Sequence, residues 1–162
     1  MAKRFSLREF QQNVLNRIQA SSGAASQLST LGVQIGDQHW LVQMSDIAQV
    51  LPLPVLTVVP LTKSWFIGVA NIRGNLYSIT DLSAFNDLGD TVRGQSNRVL
   101  LLADKYAFNS GLLVSRVIGL RDSSAWAKHG LDGRLRDEQG QVWHVLDVPA
   151  LLDQPAFLQV GI

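Results

Sequence analysis

The chain has 162 residues, 46% of them apolar and 17% charged, with 14 basic residues against 13 acidic ones. That length and apolar share suit one domain with a sizeable core and argue against disorder, while a net charge of +1 lacks the one-signed field of a nucleic-acid binder. The absence of cysteine removes disulfides, thiolate metal sites and cysteine nucleophiles, and suits a reducing cytoplasm.

Leu7, Phe10, Val14, Leu15 and Ile18 recur at the spacing of one helix face, and Ser6 with Glu9 forms a capping-box pattern, so an amphipathic helix is expected near the amino terminus. The basic start of the chain lacks the apolar stretch of a signal peptide. No apolar run approaches the roughly 20 residues of a membrane span, so a cytoplasmic protein without direct membrane insertion is expected. The small and polar residues from Ala20 to Ser29 read as a linker. The expected organisation is therefore a helix and linker over 1–29 and a domain over 30–162.

From Leu31 onward, short apolar runs are broken by Gly, Pro, Asp and Asn. Branched and aromatic residues predict strands at 31–35, 40–44, 47–51, 55–59, 68–72, 76–80, 99–103, 110–114, 117–120 and 142–146. Pro52, Pro54 and Pro60 confine the strand at 55–59 to an edge, or to a short length. Single helical turns are expected at 83–88 and 149–152. Many short strands at close spacing predict an all-β barrel or sandwich. Within this pattern, Gly74-Asn75 reads as the turn of a hairpin, with Arg73 just before it offering a forked donor to a carboxylate or carbonyl.

An internal repeat runs through the same region. The twelve positions starting at Gly74 match those starting at Gly140 in type, an offset of 140 − 74 = 66. A fainter echo joins Ser45–Val50 to Ser115–Leu120, offset 115 − 45 = 70. Two echoes in the same order predict two similar β units made from the two halves. Asp81 and Asp147 then become equivalent, each placed after a strand to cap a following helical turn.

Catalytic and metal-binding patterns are sparse. His39, His129 and His144 show no paired ligand spacing, and neither a Gly-x-Ser-x-Gly elbow nor a phosphate loop occurs. A carboxylate enzyme would have to use residues such as Asp81 or Asp147, which the repeat marks as structural. An oligonucleotide-binding barrel would stack bases on Trp40, Trp65, Trp126, Trp143, Tyr77 and Tyr106, but arginine and lysine are not densely interleaved with them.

The run Gly68-Val69-Ala70-Asn71-Ile72-Arg73-Gly74-Asn75-Leu76-Tyr77-Ser78-Ile79-Thr80-Asp81-Leu82 resembles the central signature of CheW-like chemotaxis coupling domains. Gly111-Leu112-Leu113-Val114-Ser115-Arg116-Val117 and the closing Val145-Leu146-Asp147 extend the likeness to about residues 30 to 153. The resemblance implies two small five-stranded SH3-like β-barrels packed side by side, no catalysis, and no cofactor or metal. It implies an adaptor between the cytoplasmic tip of a chemoreceptor and the regulatory domain of a CheA-type histidine kinase, recruited to membrane-associated arrays. The flanks, including Leu51-Pro52-Leu53-Pro54 and Trp65-Phe66, are similar to family members of the type IV pilus (twitching motility) pathway, which implies a PilJ-type receptor and a ChpA-type kinase. A flagellar chemotaxis adaptor is the alternative within the family.

Carried over residue by residue, the implied partner-binding positions are Ile47, Gln49, Gly68, Asn71, Arg73 and Gly74. Two positions depart from the family pattern. Gln49 stands where a glutamate is usual, so any bond to Arg73 lacks charge assistance. Ser115 replaces an aspartate at a strand end.

Overall fold

The computed structural model describes residues 30–161, so the amphipathic helix and linker expected over 1–29 lie outside the described residues. Eleven strands are described: β1 Thr30–Ile35, β2 Gln38–Gln43, β3 Ile47–Pro52, β4 Phe66–Ile72, β5 Asn75–Asp81, β6 Arg98–Leu102, β7 Ser110–Val114, β8 Arg116–Arg121, β9 Ala127–His129, β10 Arg134–Arg136 and β11 Val142–Leu146. Three short helices accompany them: α1 Leu82–Phe85, α2 Val148–Asp153 and α3 Pro155–Leu158.

The strands form two sheets, ordered β8-β1-β2-β11-β10-β9 and β3-β6-β7-β5-β4. The two orders correspond strand for strand. β5 runs parallel to β7, as β11 does to β2, and β3 is antiparallel to β6, as β8 is to β1. The repeat expected from sequence is therefore present, but the units are interleaved. Each sheet takes a hairpin from one half of the chain and its remaining strands from the other. β9 has no counterpart, so one sheet has six strands where the resemblance implied five.

Side-chain alternation explains why the sheets pack. Leu31, Val33 and Ile35 of β1 join Leu100 and Leu102 of β6 and Leu112 and Val114 of β7 in the larger core, which α2 and α3 close with Leu151, Leu152 and Phe157. Val99, Leu101 and Leu113 point the other way, into a second core with Ala70 and Ile79. β6 and β7 are thus covered on both faces, which is why they read as nearly unbroken apolar runs.

Three elements differ from expectation. Residues 55–59 form no strand and touch β4 through one bridge, Thr57 to Val69. The prolines on either side remove ladder donors, and Val55 and Val58 stay exposed. β9 and β10 went unanticipated because they are three-residue strands in a polar, Gly- and Asp-rich stretch, held by pairing with each other and with β11. α3, with Pro155 in its first turn, was also unforeseen.

Buried polar groups tie the connections down. The Tyr106 hydroxyl donates to the buried Asp46 carboxylate, which Lys105 also approaches at 3.3 Å. Burial, then this bond, push the Tyr106 phenol up to about 12. In the six-stranded sheet His144 stacks on its cross-strand neighbour Trp40, with ring centroids 4.8 Å apart. Burial, then the nearby Arg134, lower the His144 pKa. Protonation is thus easier in the unfolded chain, so stability from this group is complete above the unfolded value of about 6.5 and lost as pH falls through the lower folded value. Urea midpoints should fall between about pH 7.5 and about pH 5, and fall less in His144→Gln. An equal slope in both proteins would contradict this assignment.

Candidate interaction surface

The motif residues converge on the β4–β5 hairpin. Ile72 pairs with Asn75, leaving Arg73 and Gly74 as the two turn residues. The turn is therefore centred one residue earlier than Gly74-Asn75, and Arg73 lies within it. Both residues have positive φ, 54° and 84°, as a type I′ hairpin turn requires. Glycine adopts this freely, whereas the left-handed region costs arginine roughly 1–2 kcal/mol. The Gly74 amide donates to Asn71 Oδ1 at 2.9 Å and closes the turn.

Asn71, Arg73 and Gly74 are all exposed. Among the described residues the Arg73 guanidinium has neither a hydrogen bond nor an ion pair, so its forked donors face outward. Leu76, directly across the ladder from Asn71, is 62% exposed. Motif reading missed Leu76, and its only sequence signal is an apolar residue two positions after the turn.

The other expected site residues sit elsewhere. Gly68 is buried in β4, where an added Cβ would lie 2.6 Å from the Thr57 carbonyl oxygen. Its direct part is to admit the 53–61 segment against β4. Ile47 is half-buried and packs on the larger core. Gln49, on β3, pairs with Leu101, while Arg73 follows β4 at the other end of the five-strand order. Among the described residues no hydrogen bond joins Gln49 to Arg73.

The residues weighed for other chemistries have structural partners. Asp81 and Asp147 cap α1 and α2, as the repeat predicted. Trp143 is buried and donates its indole N–H to Asp137 at 3.0 Å. That bond, with backbone bonds from Gln139 and Gln141, holds the Asp137 carboxyl below its usual range. Trp65 packs with Phe85 and Phe157. These aromatic rings are engaged within the fold rather than arrayed as a base-stacking platform. Among the described residues no cluster of three or more metal-ligating side chains occurs, and no helix is long and apolar enough to cross a membrane.

Two interleaved β units thus present an outward arginine on an exposed hairpin. The family model described as the CheW-like domain matches residues 29–156, and the chain belongs to that family. It is 29% identical to Protein PilI of Pseudomonas aeruginosa over 153 residues, covering 88% of this chain and 85% of the relative. It is 30% identical to Protein FrzA of Myxococcus xanthus over 88 residues, 54% of each chain. The scaffolding protein TtCheW from Thermoanaerobacter tengcongensis shares the fold, with a TM-score of 0.64 at 14% identity, covering 78% of this chain and 93% of that one.

Proposed function

We propose that this chain is a non-catalytic adaptor that couples a methyl-accepting chemoreceptor to a CheA-type histidine kinase, with its two sheets serving as the family's paired barrels. The carrying observation is the exposed β4–β5 hairpin, with an exposed arginine at its tip that has no partner among the described residues, inside a chain of the CheW-like family. Arg73 and Leu76 are the contact residues: a charged group that sets specificity and on-rate beside an apolar anchor. Asn71 closes the Arg73-Gly74 turn from the end of β4, and Ile47, Gln49 and Gly68 support the fold around the surface. The relationship to PilI over most of the chain supports placing the adaptor in a type IV pilus chemosensory pathway, in the cytoplasm at receptor arrays. The receptor's cytoplasmic tip and the kinase's regulatory domain are its partners. Receptor state then shifts the geometry presented to the kinase.

Affinity capture of the receptor's cytoplasmic fragment and the kinase regulatory domain tests this. The intact protein should bind both, and Arg73→Glu should weaken one by about tenfold or more with the fold retained. Capture of neither partner by the wild-type protein would end the adaptor reading. Equal binding by Arg73→Glu would move the contact away from the hairpin.

A further inference from the structure

We infer that Asn71 is a positioning residue for the proposed contact at Arg73, an inference that rests on the adaptor reading above. Arg73 occupies a left-handed backbone conformation that its own side chain disfavours, so something else must hold the turn. The Asn71 side chain supplies that hold. Its Oδ1 accepts the Gly74 amide proton at 2.9 Å, spanning Arg73 and closing the loop around it. Because this bond is exposed to solvent, its main consequence is to select one turn geometry rather than to stabilise the core. An arginine on a floppy tip would have to order its backbone on binding; one on a closed turn has already done so.

The internal repeat provides a second, independent observation. Adding the offset, 71 + 66 = 137, and Asp137 precedes the β10–β11 turn as Asn71 precedes the β4–β5 turn. Asp137 Oδ1 accepts the amide protons of Gln139 and Gln141, both at 2.9 Å. Gly140, the counterpart of Gly74, also has positive φ, 85° against 84°. The two units therefore use a side-chain oxygen at the same repeat position, although their turns differ in bonding pattern. What the turns carry differs completely. The positions matching Ile72 and Arg73 are Glu138 and Gln139. The closing oxygen thus belongs to the turn as a structural device, and the tip residue is the variable that the device presents.

The test is a double-mutant cycle on the full chain, read by affinity for the receptor fragment and the kinase regulatory domain. Asn71→Ala should weaken binding of the partner that depends on Arg73 by about three- to tenfold. Asn71→Asp keeps the accepting oxygen and should stay within about twofold of wild type. In an Arg73→Ala background, adding Asn71→Ala should change affinity by less than about twofold, because the residue that the turn positions is already gone. Amide exchange at Gly74 should quicken in Asn71→Ala and not in Asn71→Asp.

An equal loss in both backgrounds would overturn the inference, because Asn71 would then touch the partner itself. Unchanged affinity in Asn71→Ala with faster Gly74 exchange would also overturn it, leaving Asn71 a purely local turn residue. If wild-type protein binds neither partner, the adaptor reading has failed and the inference falls with it. That outcome is separable from the others because it appears before any substitution is made.

Discussion

Replacing Asp81 with alanine should destabilise the fold by about 3–5 kcal/mol, the sum expected from losing a helix cap and leaving buried donors unpaired. Asp81 is 2% exposed and its carboxylate accepts four hydrogen bonds. Two come from the Ser83 and Ala84 amides at 3.1 and 3.5 Å, which cap α1. The others come from the amide and hydroxyl of the buried Thr91, at 2.8 and 2.6 Å, which pin the 86–97 connection against the β5–α1 junction. Truncation strands these donors where water cannot readily replace the carboxylate. Asp147→Ala is the internal control. Its carboxylate caps α2 at one exposed amide, so about 0.5–1 kcal/mol should be lost. Urea unfolding with a shared slope would read the difference directly. Equal and small losses at both positions would show that the Thr91 bonds contribute nothing.

Gly68→Ala should cost about 3 kcal/mol or more, because the strain falls on backbone that has no free direction to yield. The new Cβ would lie 2.6 Å from the Thr57 carbonyl oxygen and 3.1 Å from its carbon. Gly68 also has φ +138°, which a residue with a Cβ rarely adopts. Relief requires β4 to separate from the 53–61 segment, breaking the paired Thr57–Val69 backbone bonds of 2.8 and 2.9 Å. Gly74→Ala provides the contrast. Nothing lies within 4 Å of its added Cβ, so only the turn conformation is taxed, by about 1 kcal/mol. If Gly68→Ala unfolds at the wild-type urea midpoint, the close approach of these segments is not what the glycine serves. A loss of partner binding in Gly68→Ala would accordingly reflect a displaced hairpin edge rather than a lost contact at residue 68.

The β4–β5 hairpin shows where one-dimensional reading ended. Glycine beside asparagine marked a turn, and a turn was there, but Gly74-Asn75 was the wrong centre. The pairing of Asn71 with Leu76 and Ile72 with Asn75 put Arg73 at positive φ, a placement that residue preference argues against. The repeat was legible because strand, aspartate cap and helical turn need particular residue types in a particular order. Its interleaving was not, because offsets of 66 and 70 say which segments are alike and nothing about which strand each one pairs with.

Ile47 followed the same logic. An apolar strand residue can face a partner or a core, and the packed fold leaves Ile47 half-buried against the larger core.

Local chemistry in the chain thus determined the strand-rich class, the Asp81 and Asp147 caps and the motif hairpin. These features depend on residues within a few positions of one another. Tertiary structure alone decided the exchange of hairpins between sheets, the placement of Gln49 and Arg73 at opposite ends of the five-strand order, and the exposure of Leu76. The strand arrangement depends on which distant backbone supplies the hydrogen-bond partner, and Leu76 on which face is left uncovered, choices made by burying two apolar faces at once.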